Sequence, residues 1–194
     1  MKVNSQTMLG NDVIDLNLAG RQSDWKRKNY LSKIFSFQEQ ALVFQAENPD
    51  LVVWLVWSMK EAAYKIVNRI TGLRFYNPVA FQCSFKIDRF SAIGKVSYKG
   101  EDFFCTTEIS GNFLHTVALQ NNISFDEVKV IYTENRPDYL EVFNYKNSSL
   151  RLNKNNVMLP EIHDLNTRAI YIASLSHHGR QLCIAYLKGK SDIV

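Results

Sequence analysis

Asn48-Pro49 and Gly72 enclose the stretch that most limits how this chain can fold. An Asn side chain can accept one of the free N–H groups at a helix start. Pro suits the first helical position, and Asp50 complements the positive end of the helix dipole. Gly72 offers the left-handed residue on which helices commonly stop. Between these marks apolar residues such as Val52, Val56, Met59, Ala63, Ile66 and Ile70 recur at helical spacing. The reading is one long helix over about 49–71.

Upstream, "SFQE" (36–39) is a capping box, in which Ser36 and Glu39 each satisfy an N–H of a helix start, and a helix follows to about Glu47. Residues 17–35 are helical but broken, and carry the basic run "WKRK" (25–28), by default a solvated helix face. "MLGNDVIDL" (8–16) reads as a strand. After Asn77-Pro78 the texture changes to "VAFQCSFKI", "GKVSYKG", "DFFCTTEI" and "FLHTVALQ", short and rich in β-branched and aromatic residues, which predict an antiparallel meander. Helices followed by strands imply an α+β fold with helices packed on an antiparallel sheet. The core is expected over 1–120, with 121–194 as a C-terminal extension packed on it. In the extension "RPDYLEVFNY" predicts a short helix, "KNSSLRLNKNN" a polar loop, and "RAIYIASLSHHGRQLCIAYLK" two strands around a turn at His178-Gly179. "TEISGNFLHTVAL" and "ASLSHHGRQLCIAYL" echo each other faintly.

The net charge of +4 on 194 residues is too weak to indicate nucleic acid, but suits an acidic partner or a phosphorylated small molecule. Cys83, Cys105 and Cys183 are scattered and odd in number, so they read as reduced thiols of a cytoplasmic protein. The N-terminus lacks the apolar run of a signal peptide. The apolar run 51–57 is far short of the roughly 20 residues that cross a bilayer, so no membrane association is expected.

Glu61 and Lys65 are four apart and share a helix face. A solvated pair is the bland reading. Lys60 adds a second cation, and the small Ser58, Ala62 and Ala63 leave room for a ligand. A carboxylate beside two lysines suits a magnesium–diphosphate, and magnesium usually takes one or two protein carboxylates. A second acid is therefore expected. Asp12, after Gly10-Asn11, is the better candidate; Asp15 faces the other side of an extended segment, and either can instead cap a turn or helix. His177 and His178 share a turn, where solvation and a phosphate contact weigh equally, and without a third ligand they make no metal site. His115, inside a strand pattern, reads as a packed residue.

In this order the segments resemble the 4′-phosphopantetheinyl transferases: G-x-D as "GND" (10–12), F-S-x-x-E as "FSFQE" (35–39), W-x-x-K-E-x-x-x-K as "WSMKEAAYK" (57–65), and S-x-S-H as "SLSH" (174–177). The resemblance implies transfer of phosphopantetheine from coenzyme A to a serine of an apo acyl or peptidyl carrier protein, with release of 3′,5′-ADP. It implies magnesium on Asp12 and Glu61, phosphate on Lys65 and Lys60, and a coenzyme A phosphate contact from His177. Ser176 and Arg180 beside it can also donate to phosphate. Lys26 and Lys28 would meet the 3′-phosphate or an acidic carrier. Two departures stand out. Ile14 occupies the place of a second acid in larger members, and "EISG" puts Gly111 where compact members place their histidine. Compact members assemble as trimers. Here residues from about 168 to 187 are expected to form the hairpin that completes the site, in the same chain or a neighbouring one, so a homo-oligomer stays open. The alternative is a non-catalytic relative that binds coenzyme A or a carrier.

Overall fold

The computed structural model of the chain describes residues 8–74, 76–120 and 125–188. Strand β1 (Leu9–Asp15) leads into α1 (Leu16–Gln22), α2 (Tyr30–Ile34), α3 (Phe37–Gln45) and the long α4 (Pro49–Thr71). The meander follows as β2 (Gln82–Ile87), β3 (Ser91–Tyr98), β4 (Glu101–Ser110) and β5 (Phe113–Leu119), and β5 returns to pair with β1. The fold is α+β, as the sequence implies.

The local signals act as expected. Asn48 Oδ1 accepts the Leu51 N–H at 3.1 Å, and Gly72 ends α4 at φ 69°. Both halves of the capping box form, with Ser36 N–H on Glu39 Oε2 at 2.8 Å and Glu39 N–H on Ser36 Oγ at 3.3 Å. The run 25–28 lies in a turn between α1 and α2, not on a helix face. Trp25 anchors that turn by donating Nε1–H to Asp50 Oδ1 at 2.6 Å.

Helix α4 lies across the first sheet, against β1 and β5. The crossing is close: a Cβ on Gly10 would sit 2.0 Å from the Ala62 carbonyl oxygen, so only glycine fits there. Ala62 and Ser58 are thus small because β1 rests on them, not because a ligand does, and Ala63 is buried in the core. Lys60 lies fully inside the first half. Its ammonium donates to Glu39 Oε2 at 2.7 Å, the Ile34 carbonyl at 3.0 Å and the Pro78 carbonyl at 2.8 Å. Glu39 Oε1 accepts the Cys83 N–H at 2.8 Å.

The C-terminal part is a sheet of its own rather than an appendage. It comprises β6 (Val128–Glu134), α5 (Tyr139–Lys146), β7 (Leu150–Lys154), β8 (Pro160–Asp164), β9 (Ile170–His178) and β10 (Gln181–Leu187). Its order, β6-β10-β9-β8-β7, repeats the first sheet's β1-β5-β4-β3-β2 strand for strand. The faint sequence echo is therefore topological: β4–β5 corresponds to β9–β10. Ser110 pairs with Phe113 and His178 with Gln181 at the two turns, and Gly111 and Gly179 both adopt positive φ, 55° and 59°. Gly111 thus corresponds to Gly179, and the place of His177 is taken by Ile109.

β7 forms where a polar loop is expected. It is an edge strand whose one fully buried residue is Leu152, so its other positions tolerate charge. The expected boundary at 120/121 falls at residues 121–124, and the N-terminal residues 1–7 also lie outside the described ones. The two sheets meet through Leu9, Leu119, Ile172 and Ala185.

Removing one partner of a buried, hydrogen-bonded ion pair strands the other, at a cost of about 3–5 kcal/mol. Lys60→Met is therefore expected to lower the urea midpoint with unchanged slope, and a Glu39→Gln change added to it should cost much less than it does alone. Additive losses would contradict this role.

Candidate active site at the crossing of strand and helix

β1 is sandwiched between α4 on one face and β9–β10 on the other. Alternate residues serve the two sides: Gly10 and Asp12 face α4, whereas Asn11 faces the second sheet. Asp12 therefore meets the middle turns of α4. Lys65 Nζ lies 3.3 Å from Asp12 Oδ1 and donates to the Asn11 carbonyl at 2.6 Å. Ser58 Oγ–H is shared between the Asp12 carbonyl at 3.3 Å and Thr116 Oγ1 at 3.0 Å. Glu61, one turn before Lys65, completes a group of two carboxylates and one ammonium.

Burial sets the electrostatics. The Asp12 carboxyl is raised by burial, against the attraction of Lys65. The Glu61 carboxyl is pushed up to about 7 by burial and then by the charge of Asp12, with Lys65 pulling the other way. Two carboxylates that resist ionisation together, partly open to solvent, suit a divalent cation. Among the described residues no cluster of three or more His, Cys, Asp or Glu is placed to hold a metal. Two oxygen ligands fit magnesium, which fills its remaining positions with water and phosphate.

The hairpin β9–β10 faces Asp12 within the same chain. A cleft of about 230 Å³ is lined by Asp12, Tyr30, Trp54, Trp57, His177 and His178. A second groove, of about 250 Å³, runs past Lys65 to Arg69, Lys154 and Ser174. Here three cations converge, and Arg69 Nη2 also donates to the Pro160 and Ala173 carbonyls at 3.0 and 2.5 Å.

Several expected contacts fall elsewhere. Lys60 points away from Asp12 and Glu61, its side chain 0% exposed and its ammonium held by Glu39. Ser176 is buried, and its Oγ accepts from Asn11 Nδ2 at 2.9 Å instead of facing solvent. Arg180 is exposed at the β9–β10 turn and does not line the Asp12 cleft. Lys26 and Lys28 are exposed along a separate groove of about 540 Å³ that shares Tyr30 with that cleft.

Asn11 has a role that the sequence does not mark. Its N–H donates to Ser174 Oγ at 3.0 Å, and its Nδ2 meets His115 Nε2 at 3.1 Å as well as Ser176. His115, buried as expected, is pushed down to about 4 by burial and then by Lys65, so it is neutral. No local signal marks this role, because Asn11 sits beside Asp12 in β1 and its partners Ser174, Ser176 and His115 are distant in sequence.

The family model described as the 4′-phosphopantetheinyl transferase superfamily matches residues 8–118, more than half of the chain. The chain belongs to this superfamily. Asp12, Glu61 and Lys65 lie inside the matched segment, and the β9–β10 hairpin lies beyond it. Among solved structures the chain is similar to the crystal structure of Thermotoga maritima holo-[acyl-carrier-protein] synthase. The identity is 16%, the match covers 78% of this chain and 83% of that one, and the TM-score is 0.42. No curated protein matches the chain.

The raised Glu61 carboxyl carries a sign. Between the ordinary glutamate value of 4.5 and about 7 the folded chain keeps a proton that the unfolded chain releases. Stability from this group is full below that window and is lost as pH rises through it. Without divalent cations, the melting temperature should fall across this range, and Glu61→Gln should flatten the fall and raise stability near pH 8. An unchanged profile in Glu61→Gln would remove Glu61 as its source.

Proposed function

We propose that the protein transfers the 4′-phosphopantetheine group of coenzyme A to a serine of an acidic apo carrier protein, in the holo-carrier-protein synthase manner, releasing 3′,5′-ADP in the cytoplasm. The observation that supports this reading is the convergence of Asp12, Glu61 and Lys65, with His177 of the same chain sharing a cleft with Asp12. In this reading the diphosphate lies over Asp12, Glu61 and Lys65, and His177 approaches a phosphate from the facing wall. The phosphorylated ribose extends along Lys65, Arg69 and Lys154. Magnesium held by Asp12 and Glu61 would neutralise the diphosphate and polarise its oxygens.

The seryl oxygen attacks the phosphorus that bears pantetheine, and the bond from that phosphorus to the bridging oxygen breaks. The bridging oxygen leaves with 3′,5′-ADP, and the charge growing on it is met by Lys65. Lys65 uses two of its N–H groups on β1, which orients the third. The seryl proton passes to a carboxylate of the site or to water ordered by it. The carrier would lie along the groove of Lys26 and Lys28, and Tyr30, common to both clefts, marks the way to Asp12.

Incubation with coenzyme A, magnesium and a panel of apo carriers, read by intact mass, should show the phosphopantetheine increment on at least one carrier. Asp12→Asn and Glu61→Gln should each reduce the rate by roughly 10²–10³-fold, the range for losing one electrostatic stabiliser of a transition state. Coenzyme A binding with no transfer to any carrier would instead indicate a binding protein.

A single chain supplies both walls in this reading. Mixing Asp12→Asn protein with His177→Ala protein should therefore leave activity low. Recovery of activity in the mixture would mean that the second wall is lent by another copy.

A further inference from the structure

The two adjacent histidines at the end of β9 do different things. His177 is exposed and lines the Asp12 cleft. His178 has both ring nitrogens engaged by the protein. Its Nδ1 lies 3.0 Å from the Asp15 backbone nitrogen, and its Nε2 lies 3.1 Å from Gln22 Oε1. A backbone N–H can only donate, so Nδ1 must carry a lone pair. The amide oxygen of Gln22 can only accept, so Nε2 carries the proton. In this pattern Nδ1 accepts and Nε2 donates.

These bonds link positions far apart in sequence and join the second sheet to the corner where β1 becomes α1. That corner is itself fixed, because Asp15 Oδ1 accepts the Leu18 N–H at 3.0 Å and caps α1. Gly179 follows at positive φ, and a Cβ there would stand 3.0 Å from Leu18 Cδ2. The other side of the turn is held by β6 and its end: Asn135 donates its N–H to the Arg180 carbonyl at 2.8 Å and its Nδ2–H to the Gly179 carbonyl at 3.0 Å. The turn is thus clamped between α1 and β6, and His178 is the clamp on the side of the cleft.

We propose that His178 is a positioning residue that latches the β9–β10 turn to Asp15 and so sets the gap across which His177 faces Asp12. The inference rests on reading this cleft as the coenzyme A site. His178 itself does not meet a phosphate while latched, since neither nitrogen is free.

The test compares His178→Phe, which keeps a ring but offers no acceptor, with His178→Gln, which restores an acceptor and a donor. Amide exchange at Asp15 is measured in the ligand-free full chain, and coenzyme A affinity by calorimetry with magnesium. In His178→Phe the Asp15 amide should lose protection and coenzyme A should bind about tenfold more weakly, the scale of one or two neutral hydrogen bonds. The loss in affinity should exceed any loss in kcat, and His178→Gln should recover most of both signals. Gln22→Leu, a milder change at an exposed position, should move both in the same direction by less, and it serves if His178→Phe fails to fold. An Asp15 amide as protected in His178→Phe as in the parent overturns the latch, and so does unchanged coenzyme A affinity. If the parent chain binds no coenzyme A, the reading of the cleft fails, and Asp15 exchange still decides the latch.

Discussion

The site depends on an ion pair that never touches it. Lys60 and Glu39 are buried together, at 0% and 2% side-chain exposure. Taking two charges out of water is costly, and it is offset only where nearly every hydrogen-bonding position is filled. Here the three Lys60 hydrogens go to Glu39 and to the carbonyls of Ile34 and Pro78, while Glu39 also receives the N–H groups of Ser36 and Cys83. One pair therefore ties the end of α2, the start of α3, the approach to β2 and the middle of α4. It also fixes how α4 is rotated. Successive helical residues point about 100° apart, so anchoring Lys60 inward at α3 turns Glu61 and Lys65 toward β1.

How much of this the sequence discloses depends on whether the cause is local. The ends of α4 are legible because Asn48, Pro49 and Gly72 act on their own neighbours, and the capping box at Ser36 and Glu39 is legible for the same reason. The rotation of α4 is not. Val52, Val53, Trp54, Leu55 and Val56 are all buried, so this part of the helix is apolar all round and no stripe marks its inner face. Lys60 then resembles a free cation until its partner is known to be Glu39. Ala62 reads as room for a ligand for a related reason: close packing by a strand and an open surface both call for small residues. Gly10 was the missing half of that contact.

Where the two sheets meet, a polar residue sits in an apolar seam. Asn11 finds Ser174, Ser176 and His115, although its Oδ1 has no partner among the described residues. Such a group makes other registers of the two sheets unfavourable, because sliding β9 along β1 would bury more of its polar atoms unpaired. Both serines of "SLSH" therefore make a contact between halves, and Ser174 also lines the groove of Lys65 and Arg69. Only His177 of that motif faces the cleft. β7 does alternate, as LRLNK, but five residues set between KNSS and NN give too short a run to stand out from a polar loop.

Both sides of the cleft, Asp12 of β1 and the imidazoles of β9, belong to one polypeptide. Their meeting is therefore a first-order event. Its equilibrium is set by the linker and by the seam between the sheets, and diluting the protein leaves it unchanged. A site shared between separate subunits would instead come apart below the dissociation constant of the assembly. The repeated strand order thus gives this chain a wall whose local concentration does not vary with how much protein is present.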